Sequence, residues 1–252
     1  MLNGCYQRVS FPVLIYVIEH MEHTEENKNI PRSVGIIMDG NRRWAKAKGL
    51  PTFEGHRVGY DKLTAVVNWC QKAGIGALTI YAFSTENWER TALEVGFLMN
   101  LFRTAIGKLV VDAQKTNTRL LFFGERTRLA PDICNALQSA EHVTGKNNSF
   151  TLGIALSYGG RAEILDAIHR IPKEQLATIS EAAFSSLLWS HEIPDLDLII
   201  RTSGEERLSN FLPWQSVYSE LFFTETLWPD FTREEFMRIL GEYAGRERRH
   251  GK

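Results

Sequence analysis

The chain has 252 residues, enough for one large domain or two small ones. Hydrophobic residues make up 44% and charged residues 23%, which excludes a disordered chain, and a formal net charge of −1 excludes a globally basic nucleic-acid binder. Three cysteines, Cys5, Cys70 and Cys134, form no close pair and no metal-ligand spacing, which argues against a disulfide scaffold or structural zinc and points to a reducing compartment.

The longest apolar run near the start, Phe11 to Ile18, is too short to span a bilayer. It lacks a basic leader and a clear cleavage site, so no secretory signal is expected. Residues 1–30 read as a flexible N-terminal extension and residues 31–252 as one folded domain. From Pro31 onward, apolar runs at Val34–Met38, Ala77–Phe83, Arg119–Phe123, Phe150–Leu156, Leu196–Ile200 and Ser219–Phe223 predict strands buried on both faces. Between them, Leu63, Val66, Val67 and Cys70 repeat with helical spacing up to Gly74, and Leu98, Leu101, Phe102 and Ala105 repeat it again. Thr91–Glu94 and Thr232–Glu235 fit capping boxes, and Asn41 is expected to cap a short helix ending at Gly49 and Pro51. The fold class is therefore α/β: a single domain with a mainly parallel central sheet of about six strands flanked by helices.

Five polar segments follow these strands: Asp39–Arg43, Ser84–Arg90, Gly124–Arg128, Ser157–Arg161 and Arg201–Ser209. In open α/β sheets ligands bind outside the carboxyl ends of strands, so these segments are expected to share a rim. Asp39-Gly40 precedes a helix start whose free N–H groups favour phosphate, and Arg42 and Arg43 add charge; read alone it is equally an Asp-Gly turn. Ser84 to Arg90 joins hydrogen-bonding side chains to Trp88, or is simply a capped turn over a packed indole. Arg201 and Arg207, with Glu205 and Ser209 beside them, present guanidinium forks suited to phosphate, or the four form a solvated salt-bridged loop. Glu220 interrupts an apolar strand and is either an edge residue or a metal ligand. His56 at a helix start is either a surface residue or a donor to phosphate. No P-loop, dinucleotide fingerprint, Gly-x-Ser-x-Gly elbow, zinc helix or Asp-Asp-x-x-Asp cluster occurs.

The blocks Met38–Lys46, Tyr81–Arg90, Ser157–Arg161, Arg201–Gln215 and Leu227–Phe231, in this order, resemble the signatures of the cis-prenyltransferases, the undecaprenyl diphosphate synthase or isoprenyl transferase family. The resemblance implies transfer of a prenyl group from an allylic diphosphate, farnesyl or geranyl, to isopentenyl diphosphate. The product is expected to be an undecaprenyl-type cis-polyprenyl diphosphate. By the same resemblance Asp39 holds magnesium and is catalytic, Asn87 serves proton removal, and Glu220 is a second metal-associated carboxylate. Gly40, Asn41, Arg42, Arg43, Trp44 and His56 lie by the allylic diphosphate. Ser84, Thr85 and Glu86 bind substrate, Trp88 and Arg90 lie by the same site as Asn87, and Arg201, Arg207 and Ser209 clamp isopentenyl diphosphate. Arg249 belongs to a tail that completes the partner's site in a homodimer. The pattern departs from many bacterial members at Arg42, where they carry glycine, and at Thr52, where they carry arginine.

A growing apolar product needs a hydrophobic tunnel, and each five-carbon unit gains up to about 4 kcal/mol on leaving water. Candidate lining residues are Leu98, Leu101, Phe102, Ala105, Ile80, Ala82, Leu152 and Ile154, though taken singly each reads first as ordinary helix-on-sheet core. The protein is expected to be cytoplasmic, with peripheral membrane contact for product release and no nucleic-acid partner. Two other readings stay open: a short-chain synthase, and a non-catalytic partner subunit.

Overall fold

A computed structural model describes residues 30–246. Six strands form one all-parallel sheet: β1 (Ser33–Ile37), β2 (Ala77–Ser84), β3 (Thr118–Phe123), β4 (Phe150–Tyr158), β5 (Leu198–Arg201) and β6 (Glu220–Phe223), in the spatial order β3-β4-β2-β1-β5-β6. All six apolar runs form strands, in a single α/β domain. The helices are α1 (Asn41–Ala47), α2 (Thr52–Lys72), α3 (Ala92–Lys115), α4 (Pro131–Thr144), α5 (Gly160–His169), α6 (Glu181–Ser185) and α7 (Arg233–Ala244). Among the described residues no helix is long and apolar enough to cross a membrane.

The continuous apolar runs arise because both sheet faces are covered. Ile36, Leu120 and Phe122 enter the large core, while Ile37, Leu121 and Phe123 enter a second core on the opposite face. That alternation is the two-residue period of a strand. Strand ends depart from expectation for identifiable reasons. Leu196 and Asp197 stay outside β5: Leu196 N donates to Gln215 O, and the Asp197 carboxylate accepts from Arg32 N at 2.7 Å and Ser33 N at 3.2 Å. At the other end, β2 and β4 extend to pair Ser84 with Tyr158, so these polar residues belong to the ladder.

The helix starts were half legible. Thr91 and Thr232 accept hydrogen bonds from Glu94 N and Glu235 N at 3.3 and 3.2 Å, as a capping box requires. The reciprocal glutamates, however, turn elsewhere: Glu94 toward Arg90 and His56, Glu235 toward Thr224 and Thr226. Asn41 does not cap α1. That position is taken by Gly40 at φ 109, and Asn41 is the first helical residue. A β-carbon at Gly40 would lie 2.9 Å from Leu227 Cδ2 and 3.0 Å from Ser203 Cβ, so glycine is required both for conformation and for space.

Trp228 ties the layers together. It is fully buried, its indole N–H donates to Gly59 O of α2 at 2.8 Å, and its backbone N donates to Asp39 O at 3.0 Å. Trp228→Phe removes the indole donor and leaves ring volume unfilled, and is expected to cost about 2 kcal/mol or more. Urea unfolding should show the loss as a lower midpoint at an unchanged slope; an unchanged midpoint would refute the role given to the indole.

Candidate active site

The sheet order creates a topological switch. From β1 the chain leaves toward β2, and from β5 it leaves toward β6, on opposite sides. The crevice between such diverging connections is where open α/β sheets bind ligands. Asp39 follows β1 and Arg201 ends β5, with Ile37 paired directly to Arg201. Arg201 Nη2 meets Asp39 Oδ2 at 2.9 Å, and Thr202 Oγ1 donates to Asp39 O at 2.7 Å. Arg201 is only 4% exposed, so its charge is held by fixed acceptors rather than by water. Its other terminal nitrogen donates to Ser209 Oγ at 2.7 Å and to Arg207 O.

More arginines gather here. Arg43, one turn into α1, stands 3.5 Å from Asp39 Oδ2 and 3.4 Å from Glu205 Oε1, and donates to Ser203 Oγ. Arg207 pairs with Glu205. Beside them Glu94 of α3 takes Arg90 at 3.0 Å, His56 at 3.5 Å and Arg42 at 3.7 Å. These ion pairs join five arginines to three carboxylates, a surplus that suits a polyanionic ligand. His56 is pushed below the ordinary histidine value, first by burial and then by the Arg90 charge, against the opposing pull of Glu94. It is therefore neutral at neutral pH.

The segment after β2 folds as a 3₁₀ turn, Thr85–Glu89. Asn87 Oδ1 accepts from Ser84 N at 3.1 Å, which closes the turn. Trp88 packs edge-on to Phe83 at 5.0 Å, donates to Ser157 Oγ at 2.9 Å, and carries the Arg128 guanidinium 5.0 Å above its ring. Thus Gly124–Arg128 and Ser157–Arg161 both reach the same rim. Non-glycine residues in the left-handed region gather there too: Ser157, Ser203, Ser209, Asn210 and Leu212 have φ between 42° and 81°. Strained backbone of this kind persists where the surroundings over-determine it, as binding sites do.

Behind this polar rim lies an apolar cavity of about 710 Å³, counting its open mouth. Its walls come from α2 (His56, Tyr60, Leu63), α3 (Leu98 to Leu109) and the sheet (Ile80, Ala82, Phe122, Ile154), and Asn41 and Trp228 complete the lining. The expected stripe Leu98, Leu101, Phe102 and Ala105 lines it together with Ile80, Ala82 and Ile154. Leu152 does not; it is 1% exposed within the core beneath.

Three expectations need correction or lie elsewhere. Glu220 opens β6 at the amino end of the sheet, paired with Leu198, whereas Asp39 lies beyond the carboxyl ends. Its carboxylate accepts from Arg246 at 2.5 Å, so within one chain it shares no ion with Asp39. Trp44 is buried and donates to Asp230 Oδ1 at 2.7 Å, so it anchors α1 from below rather than facing the crevice. Arg249 lies outside the described residues. Three residues of the site are not singled out from sequence as binding residues: Thr202, Ser203 and Glu94. Only Glu94 carried a signal, its place in a capping box.

Comparison with known proteins gives the same picture. The family described as "Putative undecaprenyl diphosphate synthase" matches residues 37–251. An isoprenyl transferase of Streptococcus thermophilus is 45% identical over 239 residues, covering 91% of this chain and 96% of its own. The ditrans,polycis-undecaprenyl-diphosphate synthase ((2E,6E)-farnesyl-diphosphate specific) of Pseudomonas putida is 44% identical over 230 residues, covering 89% and 92%. The crystal structure of lavandulyl diphosphate synthase from Lavandula x intermedia in complex with dimethylallyl diphosphate superposes with a TM-score of 0.85 at 32% identity, covering 89% of this chain and 100% of that one. With an arginine-rich crevice opening onto an apolar cavity, and family blocks along nearly its whole length, the chain belongs to the undecaprenyl diphosphate synthase family and is a cis-prenyltransferase.

Proposed function

We propose that the crevice divides into an allylic diphosphate site at Asp39–Arg43 and an isopentenyl diphosphate site at Arg201, Arg207 and Ser209, with the apolar cavity taking the growing chain. The observation that carries this reading is continuity. Asn41 and His56 line the cavity and also border the arginine cluster, so a diphosphate at α1 sends its tail directly into the apolar space. Gly40 and the start of α1 offer free N–H groups to that diphosphate, and Arg42, Arg43 and Arg90 offer guanidinium donors. Ser84, Thr85, Glu86 and Trp88 flank the second site.

Magnesium suits this arrangement. Among the described residues no three histidine, cysteine or acidic side chains gather as a cage. Magnesium, however, keeps several waters and is commonly held by one or two carboxylates together with substrate phosphates. Both guanidinium contacts of Asp39 fall on Oδ2, and its side chain is about one-third exposed, so the carboxylate can serve such an ion. Bound there, magnesium would supply neutralisation of the leaving diphosphate.

The chemistry breaks the allylic C1–O bond, and the diphosphate departs with the electron pair. The double bond of isopentenyl diphosphate supplies the electrons of the new C–C bond, and a proton from its C2 passes to an oxygen of the departed diphosphate, which forms the cis double bond. Arg43 and the α1 N-terminus stabilise charge as it develops on the leaving group, and Arg201, Arg207 and Ser209 orient the acceptor. Neutral His56 donates to the allylic diphosphate. Asn87, in the turn after β2, assists that proton removal. The primer is farnesyl or geranyl diphosphate and the product an undecaprenyl-type polyprenyl diphosphate, in line with the relatives' names.

Residues 1–30 act as an extension to a catalytic domain spanning 31–252. A homodimer would complete each site through Arg249; Val217 and Tyr218, 69% and 71% exposed beside the edge strand β6, favour such a contact. Peripheral attachment to the cytoplasmic face of a membrane would receive a product too apolar for water.

Three measurements test the reading. With isopentenyl and farnesyl diphosphates plus magnesium, Asp39→Ala should lower turnover by at least about 10²-fold; turnover equal to the parent enzyme sinks the mechanism. Ala105→Phe narrows the cavity midway along α3 and should shorten the products on reversed-phase chromatography, whereas an unaltered product distribution would show that the tail goes elsewhere. For His56, whose folded value is depressed, the unfolded state alone gains a proton as pH falls through about 6.5. Stability attributable to His56 is thus present above that pH and lost below it. Parent and His56→Gln proteins, unfolded in urea at pH 7.5 and 5.5, should differ in this loss, the parent losing more.

A further inference from the structure

The Gly159-Gly160 pair and Asn210 belong to family blocks, yet the division of the crevice leaves both without a role. Asn210 joins three segments. Its backbone oxygen accepts from Gly160 N at 2.9 Å and its Oδ1 accepts from Arg161 N at 2.9 Å, so it satisfies the first two N–H groups of α5. Its Nδ2 donates to Glu86 Oε1 at 3.2 Å, across to the turn after β2. This fixes the amide orientation, because one side faces a donor and the other a carboxylate.

The surroundings are shaped around that residue. A β-carbon at Gly159 would lie 2.9 Å from Asn210 Nδ2 and 2.5 Å from Thr85 Oγ1. One at Gly160 would lie 2.1 Å from Pro213 Cδ and 3.1 Å from Asn210 O. The two glycines therefore let the three segments close on one another. Asn210 itself sits at φ 69 and follows Ser209 at φ 48, a left-handed pair that asparagine tolerates better than most residues. Ser209 is the acceptor of Arg201, which holds Asp39.

We infer that Asn210 is a positioning residue for isopentenyl diphosphate: its bridge to Glu86 sets the gap between the Ser84–Arg90 turn and the Arg201–Ser209 clamp, the two walls of the acceptor pocket. The inference rests on the proposed division of the crevice. A residue acting only as the cap of α5 would matter for folding and not for one substrate's affinity. Asn210 acts on both, and the two roles separate chemically. Aspartate at this position keeps the acceptor for Arg161 N and tolerates the left-handed backbone, but it has no donor for Glu86 and sets a carboxylate against a carboxylate.

The test is a cycle over Asn210→Asp and Glu86→Gln, with KM measured for each substrate and Tm recorded. Asn210→Asp is expected to keep the parental Tm and raise KM for isopentenyl diphosphate about tenfold, the scale of one hydrogen bond to a charged group, with KM for the allylic substrate unchanged. In the double variant the amide introduced at position 86 can donate to the carboxylate introduced at position 210, so adding Asn210→Asp to Glu86→Gln should cost clearly less than adding it to the parent. Wild-type constants in Asn210→Asp, or the same fold-loss in both backgrounds, overturn the inference. Glu86→Ala removes the same bond without touching the α5 cap; it should also raise KM for isopentenyl diphosphate, and a parental value overturns the inference even if Asn210→Asp fails to fold. Ser209→Ala, run alongside, checks the pocket: loss of allylic rather than isopentenyl affinity overturns the division of the crevice and this inference with it.

Discussion

The bond between Arg201 and Asp39 is the constraint on which the rest of the site depends. It joins the ends of two adjacent parallel strands at the point where their onward connections diverge. A guanidinium this buried is costly unless its donors are answered; Asp39, Ser209 and the Arg207 carbonyl answer its two terminal nitrogens, while Nε has no partner among the described residues. Those same partners are the groups to which the proposed function assigns the substrates. Satisfying those terminal nitrogens therefore fixes the Arg201–Ser209 loop and the Asp39 carboxylate in a single geometry.

Around that bond the protein separates two kinds of environment within a short distance. On the rim, arginines outnumber the carboxylates they pair with, and the backbone is repeatedly left-handed. Behind it, α2, α3 and the sheet enclose an apolar cavity whose polar end is Asn41 and His56. A substrate with a diphosphate head and a hydrocarbon tail matches both halves at once. The neutral state of His56 follows from standing at their boundary, where burial and Arg90 together outweigh Glu94.

Much of this was legible from residue order, and the misses share a cause. The six strands were readable because burial on both faces forces continuous apolar runs, and the rim segments were readable because polar residues cluster just after them. Thr202 and Ser203 were not, since a buried hydroxyl looks like any small residue until its partner is known; their partners, Asp39 and Arg43, lie roughly 160 residues away. The family resemblance of its block puts Trp44 by the allylic diphosphate, but helical geometry turns successive residues to different faces, and its indole points down to Asp230. Glu220 was legible as an odd carboxylate in an apolar strand, but not the end of the sheet on which it lies.

Sequence by itself determined the α/β class, the family, and the chemical character of each rim segment, because these follow from local periodicity and from dense runs of unusual residues. Tertiary structure decided which segments meet: that β5 returns beside β1, that Glu94 rather than a capping role claims His56 and Arg90, and that Asn210 reaches Glu86. The physical reason is strand order. Periodicity identifies a strand and the residues that follow it, but not its neighbours, and in a parallel sheet the neighbours choose which carboxyl ends come together as a site.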